Sequence, residues 1–156
     1  MCSSDLTGNH GAYDYWVVKL SSTGAIQWQK VLGGSGDEEA KSVIQTSDGG
    51  YMVAGVTTSN DSDVTGNHGF GDYWVVKLSS TGAIQWQKAL GGTDYDEAWS
   101  VIQTSDGGYM VAGGTESYDG DVTGNHGAYD YWVVKLSSTG RSEEHTSEIQ
   151  SLAYLV

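Results

Sequence analysis

A segment of 58 residues repeats along this chain. The stretch Tyr15–Gly34 returns as Tyr73–Gly92 with one substitution in 20 positions, and Ser42–Gly55 returns unchanged as Ser100–Gly113. A third copy begins and matches the others as far as Gly140. Self-similarity at a fixed period indicates a repeat architecture, in which one unit packs against its own copies. Any fold for this chain must therefore use the same unit more than once.

Each unit contains four short stretches with the alternation that is typical of β-strands. In "YWVVKL", Trp74, Val76 and Leu78 share one face, and "AIQWQKAL", "SVIQT" and "YMVAG" follow along the chain. The connection "SSTG" predicts a turn in which Gly82 takes a positive φ. The connection "SDGG" predicts a hairpin in which the Asp106 carboxylate accepts from its own backbone. No helical period occurs within the repeats.

Four antiparallel strands with aromatic residues at fixed places predict the blade of a β-propeller. We therefore expect an all-β fold with four-stranded antiparallel blades near residues 15–57 and 73–115, and a final strand at 131–136. A closed ring needs about four to eight blades, so this chain is interpreted as an incomplete β-propeller. The predicted units are 7–64 (blade 1), 65–122 (blade 2) and 123–140 (start of repeat 3). Five tryptophans are expected to be largely buried: Trp16, Trp28, Trp74, Trp86 and Trp132.

Both ends of the chain depart from the repeat. "RSEEHTSEIQSLAYLV" (Arg141–Val156) stands where "AIQWQK" is expected, and it resembles the translation of a sequencing adapter. Met1–Leu6 resembles the translation of the opposite adapter end. We interpret residues 1–6 and 141–156 as non-native and exclude them from functional reasoning. The remaining chain is then a fragment of a longer repeat protein.

Composition excludes several classes of function. Residues 7–140 contain 6 lysines and 16 Asp and Glu residues, which gives a net charge of −10. An acidic surface without basic patches argues against nucleic acid and anionic membranes as partners. No run of 18 apolar residues occurs, so membrane insertion is not expected. Residues 7–140 contain no cysteine, which excludes a disulfide scaffold and a thiol nucleophile within that range.

The repeat resembles a known class. "DYWVVKLSSTGAIQWQKALGG" followed by "SVIQTSDGGYMVAG" is similar to a propeller-type repeat of long secreted or surface bacterial proteins. Such proteins often carry a sorting domain for type IX secretion, so the resemblance implies an extracellular or cell-surface location. "TSDGGYMV" also resembles the Asp-box of sialidase propellers, which is structural in that family. Neither resemblance implies an activity for this chain.

The motif "TGNHG" occurs three times and places one histidine in each repeat: His10, His68 and His126. A residue present in every unit is most simply part of the unit, because a catalytic site in a propeller draws different side chains from different blades. We expect an ordered turn in which the imidazole bonds to a neighbouring backbone carbonyl. Zinc is the alternative, but no second His or Cys stands at ligand spacing.

Acidic loops precede the "TGNHG" motif. Asp61 and Asp63 alternate in one repeat, and Asp119 and Asp121 alternate in the next. Calcium takes six to eight oxygen ligands, some of which alternating aspartates supply. These four residues are therefore the candidate calcium ligands, and a solvated acidic loop is the favoured interpretation. No other cofactor is expected.

The two complete repeats differ mainly in their loops. "GSGDEEAKS" becomes "GTDYDEAWS", and "VTTSNDSD" becomes "GTESYDGD". Loops on a rigid scaffold carry recognition, so Tyr95, Trp99 and Tyr118 are the candidate ligand contacts. The first hypothesis is a non-enzymatic extracellular module for structure, adhesion or contact with a glycan or surface protein, completed by the missing blades of its parent chain. The alternative is a propeller domain of a secreted carbohydrate-active hydrolase whose catalytic residues lie elsewhere.

Overall fold

A computed structural model describes residues 8–143, which form nine β-strands. No helix occurs within this range, so the all-β prediction is confirmed. No segment that could cross a membrane as a helix is found in the part of the chain that the structure describes. The strands are β1 (Tyr15–Leu20), β2 (Ile26–Leu32), β3 (Glu38–Gln45), β4 (Tyr51–Thr57), β5 (Asp72–Leu78), β6 (Ile84–Leu90), β7 (Asp96–Gln103), β8 (Tyr109–Thr115) and β9 (Asp130–Leu136).

The turns between strands follow the sequence prediction. Gly82 in "SSTG" has a φ of 81°, and Gly49 in "SDGG" has a φ of 80°. The Asp48 Oδ1 accepts from the Gly50 amide at 2.9 Å, as expected for a carboxylate that closes its own turn. Local residue chemistry is therefore sufficient to place β1–β2, β3–β4 and their copies as hairpins.

The strands form three antiparallel sheets that are offset from the repeats. The orders are β1–β2, β3–β4–β5–β6 and β7–β8–β9. The prediction of four-stranded sheets within 15–57 and 73–115 is therefore wrong. The long loop after β4 returns β5 to the edge of β4, with Tyr51 opposite Leu78 and Thr57 opposite Asp72. The four-stranded sheet thus takes two strands from each of two consecutive repeats, and the three-stranded sheet takes two strands from the second repeat and one from the third.

The middle sheet is covered on both faces. One face of β5 presents Trp74 and Val76 to Tyr15 and Leu32 of the first sheet. The other face presents Tyr73 to Ala98, Trp132 and other apolar residues of the third sheet. Every residue of β5 is consequently buried. The three sheets stack face to face, and the described residues do not close a ring.

The tryptophans differ in burial although their sequence context is the same. Trp74 and Trp132 are buried as predicted, and Trp28 and Trp86 are half-buried. Trp16 is exposed, so that part of the prediction is wrong. The cause is the neighbouring sheet. Trp74 packs on Tyr15 of the first sheet, and Trp132 packs on Tyr73 of the middle sheet. No sheet of the described residues covers Trp16 in the same way.

The two segments interpreted as adapter-derived lie mostly outside the described residues. Residues 1–7 and 144–156 are not described. Of the second segment, Ser142 forms a bridge to Leu136, and the Glu143 amide donates to the Lys135 carbonyl at 2.9 Å. The adapter interpretation itself stays a prediction.

Candidate functional site

A histidine–aspartate turn precedes the first strand of each repeat. The His68 amide donates to the Asp72 Oδ2 at 3.1 Å, and the His68 ring Nδ1 lies 2.6 Å from the same oxygen. The expected bond from the imidazole to a backbone carbonyl is wrong here, because a buried carboxylate four residues later lies within reach. The local character of the turn is confirmed. Equivalent amide bonds of 2.6 Å join His10 to Asp14 and His126 to Asp130.

The aspartate of this turn is buried with one oxygen unpaired. Asp72 has no exposed surface, and its Oδ1 has no hydrogen-bond partner; the Oδ1 of Asp14 is in the same situation. Burial raises the pKa of Asp72 to about 6, the His68 contacts oppose this rise, and the charge of Asp96 adds to it. A Cβ on Gly91 would lie 2.7 Å from Asp72 Oδ1 and 2.5 Å from Asp96 Oδ2. Glycine therefore leaves room for two facing carboxylates.

Asp96 and its counterpart in the preceding repeat, Glu38, hold the two double-glycine loops, Gly91–Gly92 and Gly33–Gly34. The Asp96 Oδ2 accepts from the Gly92 amide and from the Ser117 hydroxyl, both at 2.8 Å, and its Oδ1 accepts from Thr115. In the preceding repeat, Glu38 accepts from the Gly34 amide and from the Thr57 hydroxyl, both at 2.7 Å. These buried acids therefore tie a loop to the end of a strand.

The candidate calcium ligands also accept backbone bonds. Asp61 accepts from the Ser35 amide at 2.7 Å, and Asp119 accepts from the Thr93 amide at 2.8 Å. These bonds lower the pKa of both carboxyls. Asp63 and Asp121 accept longer bonds from Gly33 and Gly91, at 3.3 and 3.4 Å.

The acidic loops are thus bound to the double-glycine loops of their own repeats. Between residues 8 and 143, no three His, Cys, Asp or Glu side chains come together in an arrangement that could hold a metal ion. The calcium interpretation stays a prediction.

The three candidate ligand contacts do not share one site. Trp99 is partly exposed, donates from its Nε1 to Glu97 at 3.0 Å, and lies 6.0 Å from the Tyr129 ring and 6.2 Å from the Tyr131 ring. Tyr118 is exposed and its hydroxyl donates to the carbonyl of Gly127 in the following loop. Tyr95 lines a cavity that neither Trp99 nor Tyr118 lines.

That cavity, of about 720 Å³, lies between the first sheet and the starts of β3 and β7. Tyr13, Trp16 and Tyr95 supply aromatic surface to its lining, and Asp37 and Glu39 supply carboxylates. Asp37 and Glu39 are exposed, so their charges remain solvated in the open cavity. Tyr13 pairs with Asp37 in an isolated parallel bridge that fixes the cavity wall.

Sequence reasoning identified only one of these residues, Tyr95. A signal for the others exists in the alignment of the repeats: Tyr13 corresponds to Gly71, and Asp37 corresponds to Tyr95. Both positions change between copies while the adjacent strands do not. They were missed because the cavity forms between repeats, and no single repeat contains it.

No protein-family model matches this chain, and no curated protein matches it.

Proposed function

We propose that this chain is part of an extracellular repeat module that contacts glycans through the cavity between Tyr13 and Tyr95 and performs no catalysis of its own. The observation that carries the proposal is the combination of aromatic rings and solvated carboxylates in one open cavity of about 720 Å³. Ligand sites of this size typically combine apolar walls with a few polar groups that fix orientation.

A sugar matches this lining better than a charged anion does. Aromatic rings offer a flat apolar surface with a polar tip, which suits the C–H face of a pyranose ring. Carboxylates accept hydrogen bonds and donate none when they are ionised, so Asp37 and Glu39 complement sugar hydroxyls. Anionic ligands are disfavoured by the same two charges.

The repeat supplies a rigid support for this contact. The positions that recur use their polar atoms within the stack: His68 and Asp72 bond each other, and Lys77 bonds Asp48. The positions that vary include exposed ones, such as Lys41, which is replaced by Trp99 in the next repeat. An unchanging scaffold with variable edges supports a recognition role.

The proposed location and parent protein rest on the resemblance to repeats of secreted bacterial proteins. We place the chain at the cell surface or outside the cell, within a longer propeller whose further blades are its nearest partners. The two open ends of the sheet stack are compatible with this assignment.

The test is titration of the whole chain with a panel of neutral oligosaccharides by calorimetry. Binding is expected, and Tyr95→Ala is expected to weaken it by about fivefold to tenfold, since one stacked ring contributes about 1–1.4 kcal/mol. Tyr118→Ala is the matched control, because Tyr118 is exposed but does not line the cavity. Absence of binding across the panel, or equal losses in both variants, would refute the proposal.

A further inference from the structure

The strand β1 has an unpaired edge in the described structure. It hydrogen-bonds to β2 on one side, whereas the same strand in the next repeat, β5, lies between β4 and β6. Unpaired edges present a row of backbone donors and acceptors that can pair with another strand. The first sheet therefore corresponds to β5 and β6, the last two of the four strands of the middle sheet.

The repeat shows what this edge lacks. Three apolar positions near this edge are exposed, and the same positions one repeat later are buried. Trp74 and Leu78 share a buried cluster with Tyr15 and Leu32 of the preceding sheet, and Val101 shares one with Met52 and Ala54 of β4. The exposed fractions are 53% for Trp16 against 0% for Trp74, 54% for Leu20 against 0% for Leu78, and 58% for Val43 against 2% for Val101. Among the described residues, no sheet precedes the first sheet and no hairpin lies beside β1, and these two differences account for the exposure.

A groove of about 790 Å³ marks the place of that hairpin. Trp16, Val18 and Leu20 line one side, and Val43 and Tyr51 line the other. In the next repeat, the corresponding space is filled by Met52 and Ala54 of β4, with Ile44 of β3 packed against the same cluster. The groove therefore lies where a β-hairpin of this repeat would stand, and its lining is largely apolar.

A second copy of the chain carries such a hairpin. Its β7–β8 hairpin pairs with β9, and β9 has the same sequence, "DYWVVKL", as Asp14–Leu20. In β8, Tyr109 lies opposite Leu136 and Val111 opposite Val134. The same register would place Tyr109 opposite Leu20 and Val111 opposite Val18.

We propose that two copies of this chain associate head to tail, with the β1–β2 hairpin of one copy replacing β9 on β8 of the other. The resulting sheet, β7–β8–β1–β2, has the strand order of the middle sheet, and each of its strands is the repeat counterpart of a strand in that sheet. The strand β8 exchanges its partner β9 for β1, which has the same sequence, so this exchange alone changes the free energy little. Trp16 and Leu20 gain the cover that Trp132 and Leu136 of the displaced β9 lose, so the net gain comes from β2, which completes the sheet, and from covering Val43.

This association uses different surfaces on the two copies. Such a heterologous contact propagates, and it ends only when the chains close into a ring. The inference does not depend on glycan binding, because it rests on strand pairing at β1, and Tyr95 takes no part in that pairing.

The first test is the molar mass of the whole chain by sedimentation over a range of concentrations. Association that increases with concentration is expected, and Trp16→Lys or Leu20→Lys is expected to return the chain to a monomer. Ile26→Lys is the matched control, because Ile26 is exposed and its counterpart Ile84 stays partly exposed in the complete middle sheet. A monomer at every concentration, or equal dissociation by the control, would overturn the proposal.

The second test fixes the register. In a Cys2→Ser background, Val18→Cys and Val111→Cys are expected to form disulfide-linked multimers under mild oxidation. An intramolecular bond is not expected, because β1 and β8 belong to sheets on opposite sides of the middle sheet. Val18→Cys with Ile102→Cys is the control, since Ile102 is exposed on β7. Multimers without the Val18–Val111 link, or equal yields from both pairs, would reject the pairing of β1 with β8.

Discussion

The Tyr15 hydroxyl donates a hydrogen bond of 3.1 Å to the backbone carbonyl of Trp74, and the two rings lie 4.6 Å apart. Tyr73 and Trp132 repeat this contact at 3.0 and 4.8 Å. The contact crosses from one sheet to the next. A Cβ on Gly55 would lie 2.7 Å from the Tyr15 hydroxyl, so glycine at this position makes the approach possible. One tyrosine per repeat therefore sets the distance between consecutive sheets.

Removal of this hydroxyl is expected to weaken the stack. Tyr73→Phe leaves the buried Trp132 carbonyl without its side-chain donor, and a loss of about 1–2 kcal/mol in the free energy of unfolding is expected. Tyr131→Phe is the matched control, because the same position in the third repeat is exposed. Urea unfolding followed by fluorescence measures both. Equal losses would show that the hydrogen bond between sheets is unimportant.

A buried lysine, Lys77, is expected to contribute more to stability than its half-buried counterpart, Lys19. The Lys77 Nζ donates to both Asp48 oxygens at 3.1 and 2.9 Å and to the Gln85 side chain at 3.1 Å. Lys77→Met removes charged hydrogen bonds, so a loss of about 1–3 kcal/mol is expected. Lys19→Met serves as the control, because Lys19 lies over the Tyr51 ring at 5.6 Å, and a loss below about 1 kcal/mol is expected there. A larger loss of stability in Lys19→Met than in Lys77→Met, measured by thermal melts, would contradict this assignment.

Two glycines in equivalent turns allow the cost of backbone strain to be measured apart from the cost of side-chain crowding. Gly24 and Gly82 have φ values of 82° and 81°, but a Cβ on Gly24 meets open space whereas a Cβ on Gly82 lies 3.0 Å from the Trp28 ring. Gly24→Ala is expected to cost about 1 kcal/mol through its conformation alone. Gly82→Ala is expected to cost at least about 1 kcal/mol more, because the ring must move. Chemical denaturation of both variants measures the difference, and equal costs would argue against the Trp28 contact.

The raised pKa of Asp72 predicts a pH dependence of stability. Its folded pKa of about 6 exceeds the ordinary value of 3.8, so the folded state favours the protonated acid. This contribution is fully present below about pH 4 and is lost as the pH rises through 6. Asp72→Asn should therefore stabilise the protein more at pH 8 than at pH 4.

Thermal melts between pH 4 and pH 8 test this expectation. Asp94→Asn is the control, since Asp94 is exposed in the same acidic region, and it should leave the pH profile unchanged. His68 and Asp96 also face Asp72, so His68→Gln in the Asp72→Asn background separates their effects. A wild-type slope retained in Asp72→Asn would exclude Asp72 as its origin.

Local chemistry predicted the strands but not their grouping. The "SSTG" and "SDGG" turns fix hairpins because glycine and aspartate act within four residues. The pairing of β4 with β5 is not local, and a period of 58 residues is the same whichever repeat donates a strand to a sheet. For the same reason Trp16 and Trp74 look alike in sequence and differ in exposure. Tyr95 was predictable as a variable aromatic, but Tyr13 and Asp37 gain meaning only from the contact between repeats.

The offset between sheets and repeats bears on how such a gene grows. The four-stranded sheet joins two strands of one repeat to two strands of the next, and the three-stranded sheet also joins strands of two repeats, so the boundaries of these sheets do not coincide with the boundaries of the 58-residue unit. Recombination between near-identical copies adds or removes 58 codons at whatever point the copies align. The strands on either side of the junction still find partners of the same sequence. Length can therefore vary between descendants of such a gene without any one of them inheriting a broken sheet at the point of exchange.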